Sequence, residues 1–442
     1  MSPLAARRSP LAVSPPAGPG AAGPQPSTTR GRPRLSSIAR VSAVTEQAVP
    51  VVPTRRAVAA LLAMAMGAFC FVAMETFPVG LLPLIADSYH ISLSNAGMLV
   101  TGYGLTVAVM TLPLAYLTRR VRRRLLLSVL LAVFVLATLG SGLAPTYPIL
   151  VGARVVVALS QSVFWAVVGP AAASLFSVSV RGRANATVFG GSALAPMLGV
   201  PAGTWLGQQA GWRMAFVALA GMGLLACVTL ATLMPSTPVG VGHAATGTSP
   251  SSVRFGLLVA LTILSVTGLF TAFTYTTPFL TDVARFPALA VGPVLLARGV
   301  FDFAGVVLGG MLVDRRPQLV MIGSVSLMAA SLLGMSAFAS SQAIVVGAFA
   351  VSGFSIGAMS PALTQRVLEV APGNTDLASA TNSAAFNVGI AGGAALGGGV
   401  LSAFGLLSTA LVGGIVVTLA VATAVTDPVL ATARPAVQEG AP

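Results

Sequence analysis

Twelve apolar runs, each about 20 residues long, follow one another along this chain with short polar gaps between them. A run of that length carries an α-helix across a hydrocarbon layer about 30 Å thick. They lie near 57–80, 95–117, 125–143, 147–169, 184–207, 214–233, 257–279, 290–313, 319–338, 343–365, 377–401 and 406–426. The fold class this predicts is an all-α membrane protein, with both termini on one side because the number of crossings is even.

Composition excludes the alternatives. Of 442 residues, 55% are hydrophobic and 8% charged, whereas a soluble domain has about a quarter of its residues charged. All 24 Lys-or-Arg positions are Arg. Without Lys there is no phosphate-cradling Walker A loop and no retinal Schiff base, so pumping would draw on an ion gradient or a partner subunit. A net charge of +14 suggests nucleic acid until the charges are placed. Eight Arg precede residue 57, and others fill alternate gaps: Arg119, Arg120, Arg122, Arg123 and Arg124, then Arg181 and Arg183, then Arg315 and Arg316. The gaps that alternate with these are almost bare, Arg213 and Arg285 being the exceptions. Arg-rich gaps stay cytoplasmic, which predicts a multi-pass inner-membrane protein with both termini inside, lipid as its surroundings and no nucleic-acid partner. Cys70 and Cys227 lie in apolar runs, and His90 and His243 lie in gaps with no cluster around them. No catalytic set, metal site or cofactor is expected.

The gaps also divide the chain. Residues 1–56 read as a disordered cytoplasmic tail rich in Pro, Ala, Ser and Arg; a transit peptide is the sharper alternative, against which the frequent Pro argues. A six-helix bundle over 57–233, a flexible cytoplasmic linker over 234–254, a second bundle over 255–427 and a tail over 428–442 complete the expected organisation. The bundles are repeats. Pro83 and Asp87 recur as Pro278 and Asp282, and the ladder Gly191, Ala195, Gly199, Gly203, Gly207 recurs as Ala385, Gly389, Gly393, Gly397, Leu401. Residues four apart share a helix face, and glycines there let helices approach closely in lipid; the ladders are expected at the interface between halves.

On these residues the sequence resembles the major facilitator superfamily, in particular its twelve-helix drug:proton antiporter branch, near the arabinose-efflux and chloramphenicol-efflux permeases. The stretch Met74–Ala86, with Glu75 before Gly80-Leu81-Leu82-Pro83, is similar to that branch. Thr118-Arg119-Arg120-Val121-Arg122-Arg123 occupies the place of the superfamily's loop signature, with Thr118 for its acid and Val121 for its Gly; Gly310, Asp314, Arg315 and Arg316 form a fuller second copy. Pro196, Gly199, Pro201 and Gly203 match the antiporter signature, and Arg154 matches a membrane-embedded Arg of the family.

The resemblance implies an efflux transporter that exchanges a small drug-like molecule for protons by alternating access. A sugar or nucleoside exporter on the same fold is the alternative; a non-transporting membrane sensor or a membrane-embedded enzyme fits less, since acids lie in the apolar runs while His and acids are too few for an enzyme. Intramembrane charges are functional candidates. Glu75, placed late in its run before the exit signals Pro78 and Pro83, is expected to carry the proton, with Arg154 as its counter-charge. Arg298 and Asp302, four apart, are expected to pair facing the cavity. Arg119, Arg122, Arg123, Asp314, Arg315 and Arg316 are candidates for gating, and Met74, Tyr103, Phe164, Trp165, Tyr275 and Asn387 for the substrate cavity.

Overall fold

The computed structural model describes residues 54–177, 180–235, 247–313 and 315–432. Within them run twelve helices long and apolar enough to cross a membrane. The first six are α1 (Thr54–Ser88), α2 (Leu93–Thr118), α3 (Arg123–Gly142), α4 (Tyr147–Ser174), α5 (Arg181–Ala210) and α6 (Trp212–Leu233). The second six are α7 (Ser252–Phe273), α8 (Val291–Val313), α9 (Pro317–Ala337), α10 (Gln342–Val370), α11 (Thr375–Phe404) and α12 (Leu407–Thr432). Most of the expected N-terminal tail, residues 236–246 of the expected linker, Asp314 and residues 433–442 lie outside the described residues.

Large apolar side chains cover the outside: Leu117, Leu136, Met311 and Phe404 are each more than two-thirds exposed. An apolar exterior of this kind is solvated by lipid rather than water. Each half encloses its own apolar core, one gathered from α1–α6 and the other almost wholly from α7–α12. The repeat reaches the loops. Among the described residues, positive φ occurs at His90 and Arg285, 195 residues apart, and at Gly211 and Gly405, 194 apart. The left-handed turns that reverse the chain after α1 and α5 are thus made again after α7 and α11.

Helix α1 runs through Pro78 and Pro83 instead of ending near residue 80. Each proline removes one backbone donor from the helix, and the released carbonyls, at Met74 and Val79, find donors elsewhere: Arg154 Nη1 for Met74 O (3.0 Å) and Thr277 Oγ1 for Val79 O (2.8 Å). Proline therefore does not mark the exit of this span.

The glycine ladders pack within each half, not between halves as expected. A Cβ at Gly191 would meet the Ala65 backbone; at Gly199, Phe69 and Ala73; at Gly203, Phe77; at Gly207, Leu81, all on α1. Gly389, Gly393 and Gly397 meet α7 in the same way, through Val266, Thr267, Phe270 and Thr271. The ladder belongs to the fifth and first helices of each repeat, and its small residues let those two backbones touch. The halves meet on other faces. Val200 N–H bonds to Ala195 O, which widens α5 at Ala195–Gly199 and presents Pro196 and Met197 to Gly299 of α8. Gly97 and Gly104 of α2 lie against Tyr275 and against Asn387 and Ala391.

Hydrogen bonds between the halves, among the described residues, all lie at the end where α1, α5, α7 and α11 finish. Ser94 bonds Gly398 O (2.9 Å) and Ser402 (2.8 Å), Gln208 bonds Ala288 O (2.8 Å), and Thr277 bonds Val79 O. At the opposite, Arg-rich end the contacts recorded among the described residues lie within each half. Arg123 donates to Pro170 O (2.8 Å) and Arg124 to Ala231 O (2.5 Å). Asp427, wholly buried, receives Arg254 of α7 (2.8 Å) and Arg366 of α10, while Glu369 also pairs with Arg366 (2.8 Å). Ser249 and Ser251 N–H bond Glu369 O and Val370 O, fastening the linker's end to α10.

Gly191 and Gly190 separate the two faces of α5: a Cβ at Gly190 meets nothing within 4 Å. Gly191→Leu is expected to cost at least the ~1–3 kcal/mol typical of overpacking and to reduce the monodisperse detergent-soluble fraction, with Gly190→Leu at the wild-type level. Equal yields of the two variants in size-exclusion chromatography would disprove the tight α1–α5 seam.

Candidate functional site

Glu75 sits four residues past the midpoint of the 35-residue α1, about 6 Å along the axis from the centre and about 20 Å from Ser88. That is hydrocarbon depth rather than interface. Its side chain is 9% exposed, and Arg154 and Gln161 of α4 and Tyr103 of α2, each 1% exposed, surround it.

The guanidinium does not go to the carboxylate. Arg154 Nη1 donates to Met74 O (3.0 Å), Nη2 to the backbone carbonyl of Glu75 (3.3 Å) and Nε to Leu99 O (3.4 Å), and the group lies 5.0 Å from the Tyr103 ring centroid. Among the described residues no ion pair joins Arg154 to Glu75, so the expected counter-charge is not in contact. The physical reason is Pro78: it leaves the Met74 carbonyl without its helix donor, and an Arg in hydrocarbon bonds the nearest strong acceptors. The carboxylate is held instead by Gln161, whose Nε2 donates to Glu75 Oε2 (2.9 Å). Gln161 Oε1 accepts from the Tyr103 hydroxyl (2.6 Å), and Glu75 Oε1 has no partner. Sequence reasoning passed over Gln161. Its signal was its spacing, seven residues beyond Arg154 and so on the same face of α4 two turns on.

The second charged site is in the other half. Arg298, 4% exposed, lies over the Phe273 ring at 3.9 Å, and its Nε has no partner. It forms no ion pair with Asp302, whose side chain lies against Gly357 of α10. The expected pair is absent because α8 turns the two groups toward different neighbours, Phe273 of α7 and Gly357 of α10. Both missing pairs follow one rule: charges four apart, or facing in sequence, pair only where no better acceptor or π-face is closer.

Comparison with known proteins agrees with this architecture. The family model of the Major Facilitator Superfamily matches residues 64–375 and 299–442. The chain belongs to the major facilitator superfamily. A curated relative, the inner membrane transport protein YdhP of Escherichia coli, is 36% identical over 78% of this chain and 89% of its own length. A probable sugar efflux transporter of Mannheimia succiniciproducens is 32% identical over 80% of this chain and 90% of its own. A bacterial homologue of the lysosomal transporter Spinster, solved inward-facing and unoccupied, shares the fold at a TM-score of 0.66 and 16% identity, covering 84% of this chain and 97% of that one. The chain is therefore a transporter of this superfamily and not an enzyme.

Within the major facilitator frame several candidates change role. Met74, Phe164 and Tyr275, expected in the substrate cavity, have no exposed surface. Phe164 packs on Phe71 (4.6 Å between centroids), and Tyr275 donates to Ala394 O (3.0 Å) against Gly97 where the halves meet. Helix packing consumes all three. Trp165 stacks on Phe189 at 6.0 Å. Asn387 donates to Ser383 O and leaves its Oδ1 unpartnered. Tyr103 borders a small cleft with Met98, Gly102, Val151, Arg154 and Val155. Of the gating candidates, Arg119 lies over Tyr116 (4.0 Å), Arg123 caps α4, Arg122, Arg315 and Arg316 are exposed, and Asp314 is outside the described residues.

If Arg154 is the donor that Pro78 removed from α1, the two positions are coupled. Arg154→Met is expected to lower thermal stability in detergent, and adding Pro78→Ala, which restores a backbone N–H for Met74 O, to recover roughly 1–3 kcal/mol, the value of one buried unsatisfied group. Absence of any recovery in the double variant would remove the capping role from Arg154.

Proposed function

We propose that this chain is a secondary active exporter that exchanges a small organic molecule for protons by alternating access, with Glu75 as the proton carrier. The observation that carries the reading is the half-satisfied carboxyl group of Glu75 at hydrocarbon depth, one oxygen on Gln161 and the other bare, with the nearby guanidinium engaged on carbonyls. An ionised carboxylate in that position is costly, by about 2.5–3.5 kcal/mol on insertion scales, and a proton removes the charge. Substrate and proton then compete for one site between two facing states. Drug-like compounds are the first substrate class; the relative named as a sugar efflux transporter favours a second, sugars on the same fold.

In this reading the Arg-rich end is cytoplasmic, with both termini and residues 234–254 inside. The contacts between halves then close the periplasmic end, and the structure is the inward-facing state. Arg119, Arg122, Arg123, Arg315 and Arg316, together with Asp314, belong to the cytoplasmic gate of the outward-facing state. Arg298, buried without an ion pair, is the second charged group on the transport path, with Asp302 beside it.

Topology is tested by labelling in a background with Cys70 and Cys227 changed to Ser. Thr248→Cys and Ser340→Cys are both at exposed positions, on opposite ends of the bundle. A membrane-impermeant maleimide should label Ser340→Cys in cells treated to open the outer membrane and Thr248→Cys only in everted vesicles; the reverse pattern inverts the assignment. The mechanism is tested by screening antibiotics and sugars in an efflux-deficient host and carrying a hit into everted vesicles. Glu75→Gln should lose uphill transport driven by an imposed pH gradient and keep downhill exchange. Undiminished uphill transport would eliminate Glu75 as carrier.

A further inference from the structure

The hydrogen bonds from Tyr103 to Gln161 to Glu75 run in one direction. The phenol O–H donates to Gln161 Oε1 and the amide Nε2–H donates to the carboxylate, so every proton in the chain points toward Glu75. That polarity suits only an ionised acceptor at the end. A proton on the bare Oε1 of Glu75 would be a buried donor with no acceptor, which costs about 1–3 kcal/mol. A carboxamide has a donor at one corner and an acceptor at the other, nearly equal in size. Turned over, it accepts from the protonated carboxyl and donates to the Tyr103 oxygen. No backbone movement is needed, and all three side chains are buried among packed helices that leave little other freedom.

We propose that Gln161 is a positioning residue that couples the proton on Glu75 to the hydrogen-bonding polarity of Tyr103 by turning its amide over. With Glu75 ionised, the phenol proton is held by Gln161 and the phenol oxygen offers its lone pairs. With Glu75 protonated, the oxygen is occupied by the amide and the phenol proton is turned outward. Tyr103 borders the cleft beside Arg154. Tyr103 is 1% exposed; where that cleft widens around its hydroxyl during the cycle, a substrate group that donates, a hydroxyl or an amine, is accepted at Tyr103 in the ionised state and rejected in the protonated one, which is the order an exchanger requires. The inference rests on the reading of Glu75 as a proton carrier and adds the route by which its proton is sensed.

The groups that could act on the same titration are few. Arg154 from α4 and Tyr103 from α2 are the charged or titratable side chains facing Glu75. Helix α5 meets α1 through glycines and Thr204, α6 meets it near Glu75's end through Phe216, and the turn Thr276–Pro278 brings Thr277 to it; Arg213 of α6 reaches α1 only at Ser88, about 20 Å along the helix from Glu75. None of these carries a charge that would report the proton.

Infrared difference spectra across a pH step, recorded on the full chain in nanodiscs with no ligand added, test the coupling directly. Ring-labelled tyrosine and amide-labelled glutamine mark the two reporters. The wild-type protein should show a protonated-carboxyl band that Glu75→Gln removes, a tyrosine C–O shift that Tyr103→Phe removes, and a glutamine amide shift appearing with them. In Gln161→Met, which keeps the side chain's length without the amide, the Glu75 band should remain while the Tyr103 shift is lost. A retained Tyr103 shift in Gln161→Met overturns the inference and leaves Glu75 as carrier. Absence of a pH-dependent Glu75 band in the wild type overturns the carrier reading itself and the inference with it. Should Gln161→Met fail to fold, the wild-type spectrum still decides: a glutamine amide band that does not move with the Glu75 band refutes the turnover.

Discussion

In hydrocarbon a backbone carbonyl without a donor has no water to turn to, and the arrangement of this transporter follows from how α1 meets that constraint. Pro78 and Pro83 release the carbonyls of Met74 and Val79, and each is taken by a side chain from another helix. The donor for Met74 is Arg154, so the one buried cation near Glu75 is engaged on the backbone. The carboxyl group is left to Gln161 and to a bare oxygen. A proline in α1 thus leaves, through two bonds, the Glu75 carboxyl group outside any salt bridge.

The two halves keep a common scaffold and diverge in chemistry. The glycine ladders, the left-handed turns and the pairing of first and fifth helices recur at offsets of 194 or 195 residues. What fills the scaffold differs. The first half holds Glu75, Arg154 and Gln161, while the second places Phe270 and Phe273 on α7 and a lone guanidinium on α8. The Arg-rich ends differ too: arginines cap helix carbonyls in the first half, whereas the second buries Asp427 between two arginines. Breaking one member of such a buried cluster leaves an uncompensated charge.

Much of this was legible in the sequence because it is local or periodic. Twelve spans and the ladders come from run length and a spacing of four. The partners of the ladders were not legible, since spacing identifies a face and says nothing of what meets it. The end of α1 was misread because a proline's cost depends on donors that arrive from α4 and from the turn Thr276–Pro278 beyond α7, far away in the chain. The same holds for Gln161, Asp427 and Arg366, whose meaning lies in contacts across 61 to 173 residues. The missing Arg154–Glu75 and Arg298–Asp302 pairs show the limit from the other side: proximity of opposite charges is readable, but the competing acceptors are not.

The bond from Thr277 to Val79 O joins the halves through an atom that α1 cannot satisfy alone. When the halves separate at that end, the carbonyl loses its donor at the moment a vestibule opens beside it. Water entering the vestibule is the only replacement at hand. Separation and wetting are therefore one event, and a dry intermediate at that end carries an orphaned carbonyl as a barrier.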